Sequence, residues 1–225
     1  MKIFKRILWL FFSLLPVLSF SQKYYRIKAN VTIMEKDIDG KYNLTKGILY
    51  YDINYHKAVY DISFPEKAII VITDSTYVTI KEGKQSKSKS VKEFLDFSLF
   101  NLCLTGKLDY YGLKDTPFAV EKTEKQDSLV ITTWAPPKKL KKKKGKIKVS
   151  TKDKKLFGVI TYDVKGNIIS KQFFEKYILV KNLAIPAKVV SFIYKNDKTF
   201  TQITEFKNIE INKENNDNMN NYPVN

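Results

Sequence analysis

The sequence predicts a mainly β, α+β protein: a large curved antiparallel sheet or half-barrel of about 10–11 strands, with an apolar helix over its concave face. Three observations lead to this fold class. Short runs in which apolar and polar residues alternate recur from Tyr24 to Ile211, as is typical of antiparallel strands. Turn residues separate these runs, and no regular alternation of strands with helices accompanies them. Only residues 90–104 form a longer apolar stretch that favours a helix.

The first element is a predicted signal peptide, residues 1–21. Three basic residues precede the apolar run 7–18, and Ser19 and Ser21 provide the small side chains expected before a cleavage site. The only cysteine, Cys103, is too distant to carry a lipid anchor. The richness in Lys, Asn, Ile and Tyr is typical of AT-rich bacterial genomes. We therefore expect an exported protein of a Gram-negative periplasm, not lipid-anchored.

The mature chain is expected to form one β domain, residues 22–213, followed by a disordered Asn-rich tail, residues 214–225. In the third predicted strand, Ala58, Tyr60, Ile62 and Phe64 alternate with more polar residues, so one strand face should be buried. The predicted strands are 25–35, 42–53, 57–64, 68–73, 77–81, 118–123, 128–135, 156–163, 167–180, 186–194 and 199–211.

The predicted helix, residues 90–104, begins with a capping box formed by Ser90 and Glu93 and ends before Gly106. Apolar side chains cover more than half of its circumference, so the helix is either enclosed in the core or faces a ligand. A half-open sheet under such a helix leaves an apolar groove. The candidate groove residues are Tyr60, Ile62, Phe64, Phe94, Leu95, Leu99 and Leu102.

The positive charge is concentrated in one segment, since residues 138–155 contain eleven lysines and one aspartate. Lysines repel one another, which predicts a solvated loop. The other interpretation is electrostatic contact with an anionic membrane surface or an acidic protein partner. Nucleic acid is not an expected partner, because the run lacks arginine and interleaved aromatic residues. The candidate contact residues are Lys138, Lys139, Lys141, Lys142, Lys143 and Lys144.

The composition argues against most kinds of catalysis. One histidine and one cysteine cannot form a Cys/His metal cluster or an intrachain disulfide. The sequence has no nucleophile elbow, no phosphate-binding glycine loop and no zinc-protease motif. His56 is interpreted as an exposed turn residue and Cys103 as a small buried apolar residue. We predict no enzyme activity, no catalytic residue, no metal and no cofactor.

The sequence resembles a known family in the order of five segments. These segments are 47–52, 60–65, 161–168, 183–186 and 204–212. The family is the LolA-like family of periplasmic lipoprotein carriers, with its secreted bacterial relatives. The resemblance implies a half-barrel with helices over its concave face and an apolar cavity for the acyl chains of a lipid or lipoprotein. The functional hypothesis is a periplasmic acyl-chain binding or carrier protein without catalytic activity. The alternative is an envelope scaffold or interaction protein with a closed core. It would dock an acidic partner through the lysine-rich segment 138–144, which we call the lysine loop.

Overall fold

The computed structural model describes residues 24–90, 92–196 and 198–213, together with residues 219 and 222. The predicted signal peptide lies outside the described residues. None of the helices in the described part of the chain is long and apolar enough to cross a membrane.

The described chain forms one sheet of thirteen strands in which all neighbours are antiparallel. The strands are β1 (Arg26–Lys36), β2 (Tyr42–Asp52), β3 (Lys57–Phe64), β4 (Ala68–Ile72), β5 (Thr76–Lys81), β6 (Lys84–Lys89), β7 (Ala119–Gln126), β8 (Leu129–Ala135), β9 (Ile147–Lys152), β10 (Lys155–Tyr162), β11 (Ile168–Val180), β12 (Leu183–Lys195) and β13 (Lys198–Ile211).

The sheet consists of two meanders that meet in its middle. Strands β1 to β6 run outward to one edge, the chain then crosses to the opposite edge, and β7 to β13 run back until β13 pairs with β1. The crossing segment, of which residues 90 and 92–118 are described, carries two short α-helices and two 3-10 helices between the two edges. This arrangement, an open curled sheet with helices over one face, confirms the predicted fold class.

The strand count is thirteen, so the prediction of about 10–11 strands was too low. The first missed strand, β6, has six exposed polar residues and is held by backbone pairing with β5. It therefore carries none of the apolar alternation from which strands are predicted. The second missed strand, β9, lies within the lysine-rich segment and has a single buried residue, Val149.

The predicted helix 90–104 is divided into two short helices, α1 (Lys92–Asp96) and α2 (Leu99–Leu104). Ser98 separates them with an extended backbone conformation, φ −67° and ψ 145°. Its hydroxyl donates a 2.8 Å hydrogen bond to the backbone oxygen of Leu95. Serine side chains compete with helical hydrogen bonding in this way, so the prediction of one continuous helix was wrong. Two single-turn 3-10 helices, Leu108–Tyr110 and Leu113–Asp115, follow α2.

The main core lies between the helices and the concave face of the sheet. The helical segment contributes Leu95, Phe100, Leu102 and Cys103, all nearly inaccessible to solvent. They pack with alternate residues of the central strands, and the rings of Phe100 and Phe206 are 4.9 Å apart. Burial of these side chains fixes the helical segment on the sheet.

A second, smaller core covers the convex face near β2 to β5. Tyr50, Val59 and Val71 are buried there, so both faces of β3 are covered, not only one. Two residues of the predicted tail, Met219 and Tyr222, pack against this cluster. The rest of that tail, residues 214–218, 220, 221 and 223–225, lies outside the described residues.

Candidate ligand-binding groove

A groove of about 480 Å³ lies between the helices and the concave face of the sheet. We call it the main groove. Its floor is apolar and comes from four strands: Val31, Ile33, Phe174, Val189 and Phe206. The helical wall is formed by Phe94, Phe97, Leu99 and Leu102.

The register of the central strands explains this floor. Ile33 lies opposite Thr204, Thr204 opposite Val189, and Val189 opposite Phe174. Because side chains alternate between the faces of a strand, residues paired across neighbouring strands project from the same face. One continuous row of side chains therefore crosses β1, β13, β12 and β11 beneath the helices.

The next row of the same face is polar. Glu35 pairs with Gln202, Gln202 with Ser191, and Ser191 with Gln172. The amide of Gln202 donates a 2.9 Å hydrogen bond to Oε1 of Glu35. The hydroxyl of Tyr111, in the segment after α2, donates a 2.8 Å hydrogen bond to Oε1 of Gln172. The main groove thus has an apolar floor flanked by a row of hydrogen-bonding groups, which we call the polar row.

Two tyrosines of the groove remain protonated at neutral pH. Burial raises the pKa of both Tyr60 and Tyr111 to about 12 because an apolar environment disfavours the phenolate. The groove therefore presents phenol groups that can donate hydrogen bonds.

A second pocket of about 550 Å³ adjoins the main groove. Glu93 of α1 and Phe97, which follows that helix directly, line both cavities. Leu113, Phe118, Ile147 and Ile169 make the second pocket largely apolar, and it also receives Leu140, the one apolar residue within the lysine run 138–144. Two of the loop lysines, Lys143 and Lys144, line this pocket as well. The lysine loop thus borders a cavity and is not merely solvated.

Four of the seven candidate groove residues, Tyr60, Phe94, Leu99 and Leu102, line the main groove. The other three do not line it. Leu95 is 1% exposed and packs into the core, Ile62 is 6% exposed, and Phe64 is 46% exposed at the end of β3. A role of any of them in binding remains a prediction.

Sequence reasoning missed several lining residues, among them Phe97, Tyr111 and the polar row. The polar row depends on the register of paired strands, and Phe97 and Tyr111 depend on how the helical segment packs on the sheet; the local pattern reveals neither. The alternation in β11 is the one available signal, since it places Gln172 and Phe174 on the same face.

Among the described residues, no group of three or more His, Cys, Asp or Glu side chains could hold a metal ion. Burial raises the pKa of the Cys103 thiol to about 12, so the thiol stays protonated and unreactive at neutral pH. The imidazole of His56 contacts Asp74, and its Nε2 lies 3.4 Å from Oδ1 of Asp96. His56 lies in a turn, as predicted, but its side chain is only 20% exposed and is held between two carboxylates, so the expected exposure was wrong.

Several solved structures share this architecture. A LolA superfamily protein from Nitrosomonas europaea matches with a TM-score of 0.57 and 8% identity, over 87% of this chain and 90% of its own. A domain from Vibrio parahaemolyticus, proposed to sort outer membrane lipoproteins, matches with a TM-score of 0.60 and 12% identity, over 89% and 92%. A DUF1329 family protein from Desulfovibrio piger matches with a TM-score of 0.56 and 9% identity, over 88% and 90%.

By sequence, no protein-family model and no curated protein matches the chain. The structural matches cover nearly the whole described domain, but their low identities establish the fold alone. The chain therefore has the fold of the LolA superfamily, as its sequence resemblance predicted.

Proposed function

We propose that the protein binds or carries an acylated ligand, a lipid or a lipoprotein, in the cell envelope and has no catalytic activity. The observation that carries this proposal is the main groove, whose floor and helical wall are apolar and whose volume, about 480 Å³, is typical of small-molecule sites. An acyl chain suits such a surface because each buried methylene contributes about 0.8 kcal/mol to binding.

The polar row fits the other end of an acylated ligand. An acyl chain is joined to its carrier molecule through an ester or amide, which offers carbonyl oxygens as acceptors. Gln172, Ser191 and Gln202 carry side-chain donors on the same sheet face as the apolar floor. A ligand of this kind would therefore place its acyl chain on the apolar floor and hydrogen-bond its ester or amide carbonyl to the polar row.

Helix α1 is the part of the wall best suited to move. It has five residues, of which only Leu95 is buried, and Phe94 is 54% exposed beside the groove. Segments with few buried contacts open at low free-energy cost. We propose that displacement of α1 admits the chain and that its return covers it.

The proposed location follows from two supports. The N-terminal segment has the pattern of a signal peptide, and one protein of similar fold is proposed to sort outer membrane lipoproteins. We propose that residues 1–21 are cleaved and that the mature protein works in the periplasm.

The proposal is tested by native mass spectrometry and lipid extraction of the mature protein purified from its own cell envelope. We expect a stoichiometric acylated ligand, whose mass identifies the cargo. An unliganded mass, together with no uptake of a fluorescent fatty acid, would overturn the proposal. That result would favour the scaffold alternative, to be tested by using the lysine loop to capture an acidic protein partner.

A further inference from the structure

The lysine loop between β8 and β9 is folded back on itself. The backbone N–H groups of Lys143 and Lys144 each donate a 2.8 Å hydrogen bond to the carbonyl oxygen of Leu140. Gly145 then lies against the β10–β11 turn so closely that a Cβ atom there would be 2.2 Å from the backbone oxygens of Tyr162 and Asp163. The loop lysines are therefore held in place beside this turn.

Beneath the loop lies a third cavity, of about 500 Å³, which we call the lysine pocket. Four lysines line it: Lys141, Lys144, Lys146 and Lys148. Its two acidic lining residues are Glu121 and Asp163. The lining therefore has a formal excess of positive charge.

The two carboxylates are already engaged by other groups. Oε2 of Glu121 forms an ion pair with Nζ of Lys146 at 2.6 Å. Asp163 accepts hydrogen bonds from the backbone N–H of Lys165 and from both the backbone and side chain of Asn167, and these bonds hold its pKa below the usual range. In the described part of the chain, Lys141 and Lys144 make no ion pair. Lys148 makes no ion pair there either, but its Nζ lies 5.9 Å from the ring centroid of Tyr162. Lys141 and Lys144 are therefore the two lining lysines that have neither an ion pair nor an aromatic contact among the described residues.

The lysine pocket adjoins the second pocket, which in turn adjoins the main groove. Lys144, Gly145 and Tyr162 line both the lysine pocket and the second pocket, and the second pocket shares Glu93 and Phe97 with the main groove. A single amphipathic molecule can therefore place an anionic group among the lysines and an apolar chain in the adjoining pocket.

We propose that the lysine pocket binds the phosphate of an anionic phospholipid, through Lys141 and Lys144, while the acyl chain of the same molecule occupies the second pocket. Ammonium groups bind phosphate as point charges, without the planar fork of arginine. This inference rests on the proposed acyl-chain function and specifies the class of lipid bound.

The test uses short-chain lipids below the concentration at which they form micelles, so that the protein meets single molecules. Dihexanoyl-phosphatidylglycerol is the anionic probe, zwitterionic dihexanoyl-phosphatidylcholine has the same chains, and inorganic phosphate is the chain-free anion. Binding to the mature protein is measured by isothermal titration calorimetry. We expect the wild type to bind the phosphatidylglycerol about fivefold more tightly than the phosphatidylcholine, as two exposed charge contacts allow.

Two double variants separate a specific pocket from general surface charge. Lys141→Gln with Lys144→Gln removes the two proposed phosphate-binding lysines, whereas Lys139→Gln with Lys142→Gln removes the same charge from the same loop outside the lining of the pocket. We expect the first variant to bind both lipids equally and the second to keep the wild-type preference.

Four results would overturn the inference. Equal loss of the preference in both variants would indicate unspecific electrostatics. Inorganic phosphate binding as tightly as phosphatidylglycerol would indicate a free-anion site. Equal binding of the two lipids by the wild type would remove the headgroup site and leave the acyl-chain function standing. If neither lipid binds to the wild type, both this inference and the proposed acyl-chain function are contradicted.

Discussion

The hydroxyl of Tyr51 on β2 donates a 2.9 Å hydrogen bond to Oδ1 of Asn101 on α2, in the buried interface between sheet and helices. The side-chain amide of Asn101 in turn donates a 2.8 Å hydrogen bond to the backbone oxygen of Asp96, at the end of α1. Burial raises the pKa of Tyr51, which keeps the phenol protonated as a donor. One asparagine thus joins both helices to the sheet.

Replacing Tyr51 with phenylalanine should lower the free energy of unfolding by about 1–3 kcal/mol, because Oδ1 of Asn101 loses its partner in a buried site. Urea denaturation at neutral pH measures the change. Tyr55→Phe is the matched control, since Tyr55 is exposed and its replacement should have little effect. Equal stability of the two variants would show that this hydrogen bond does not stabilise the interface.

Replacing Leu99 with aspartate should weaken the binding of a fluorescent fatty acid at least about tenfold, because a carboxylate in the wall of an apolar groove is costly to desolvate. Leu179→Asp introduces the same charge at a residue that is 71% exposed and does not line the main groove. Fluorescence titration compares the variants, and circular dichroism establishes that each is folded. Unchanged binding by a folded Leu99→Asp protein would contradict the assignment of the helical wall.

The protein should lose stability progressively as the pH rises from about 9 to about 12. Burial raises the pKa of Tyr60 and Tyr111 from 10.0 to about 12 and that of Cys103 from 9.0 to about 12. Between these limits the folded state binds more protons than the unfolded state, so the free energy of unfolding falls with increasing pH.

Urea denaturation at pH 8 and pH 11 measures this alkaline loss, while absorbance at 295 nm follows tyrosine ionisation. The double variant Tyr60→Phe with Tyr111→Phe should show a smaller difference between the two pH values. An identical difference in wild type and variant would mean that these two phenols titrate alike in the folded and unfolded states.

Replacing Gly145 with alanine should destabilise the protein by about 1–3 kcal/mol, the usual cost of overpacking, because the new Cβ would collide with two backbone oxygens. It should also abolish the preference for phosphatidylglycerol by moving Lys144 away from the lysine pocket. Thermal denaturation and calorimetry measure the two effects, with Lys142→Ala as the loop control. Wild-type stability and preference in Gly145→Ala would show that the loop does not depend on this contact.

The sequence was sufficient to predict elements whose burial is periodic. Strand β3 was predicted with its observed bounds, 57–64, because alternation and Pro65 define it locally. The helical segment was located by its apolar side chains, although its break at Ser98 depends on a hydrogen bond that apolar periodicity does not encode. Strand β6 was missed because its six residues are polar and exposed, so its pairing with β5 leaves no apolar periodicity in the sequence.

The groove was predicted only in part, for a physical reason. Leu99 and Tyr60 could be proposed because apolar residues on an enclosed helix or a half-buried strand must face something apolar. The polar row could not be proposed, since Glu35, Gln172 and Gln202 become neighbours only through the register of β1, β13, β12 and β11. The contacts of His56 could not be predicted for the same reason, since Asp74 follows β4 and Asp96 ends α1, both distant in sequence.

The pairing of β1 with β13 also sets the order in which the sheet can assemble. Every other pair in the described sheet joins consecutive strands, most of them through short connections that allow early local formation. The β1–β13 ladder, from Ile27 opposite Ile211 to Lys36 opposite Thr201, joins the beginning and end of the described sheet. Its closure carries the largest loop-closure entropy in the fold. During synthesis the two meanders can form hairpins, but the sheet beneath the groove remains divided until the last strand has been synthesised and released.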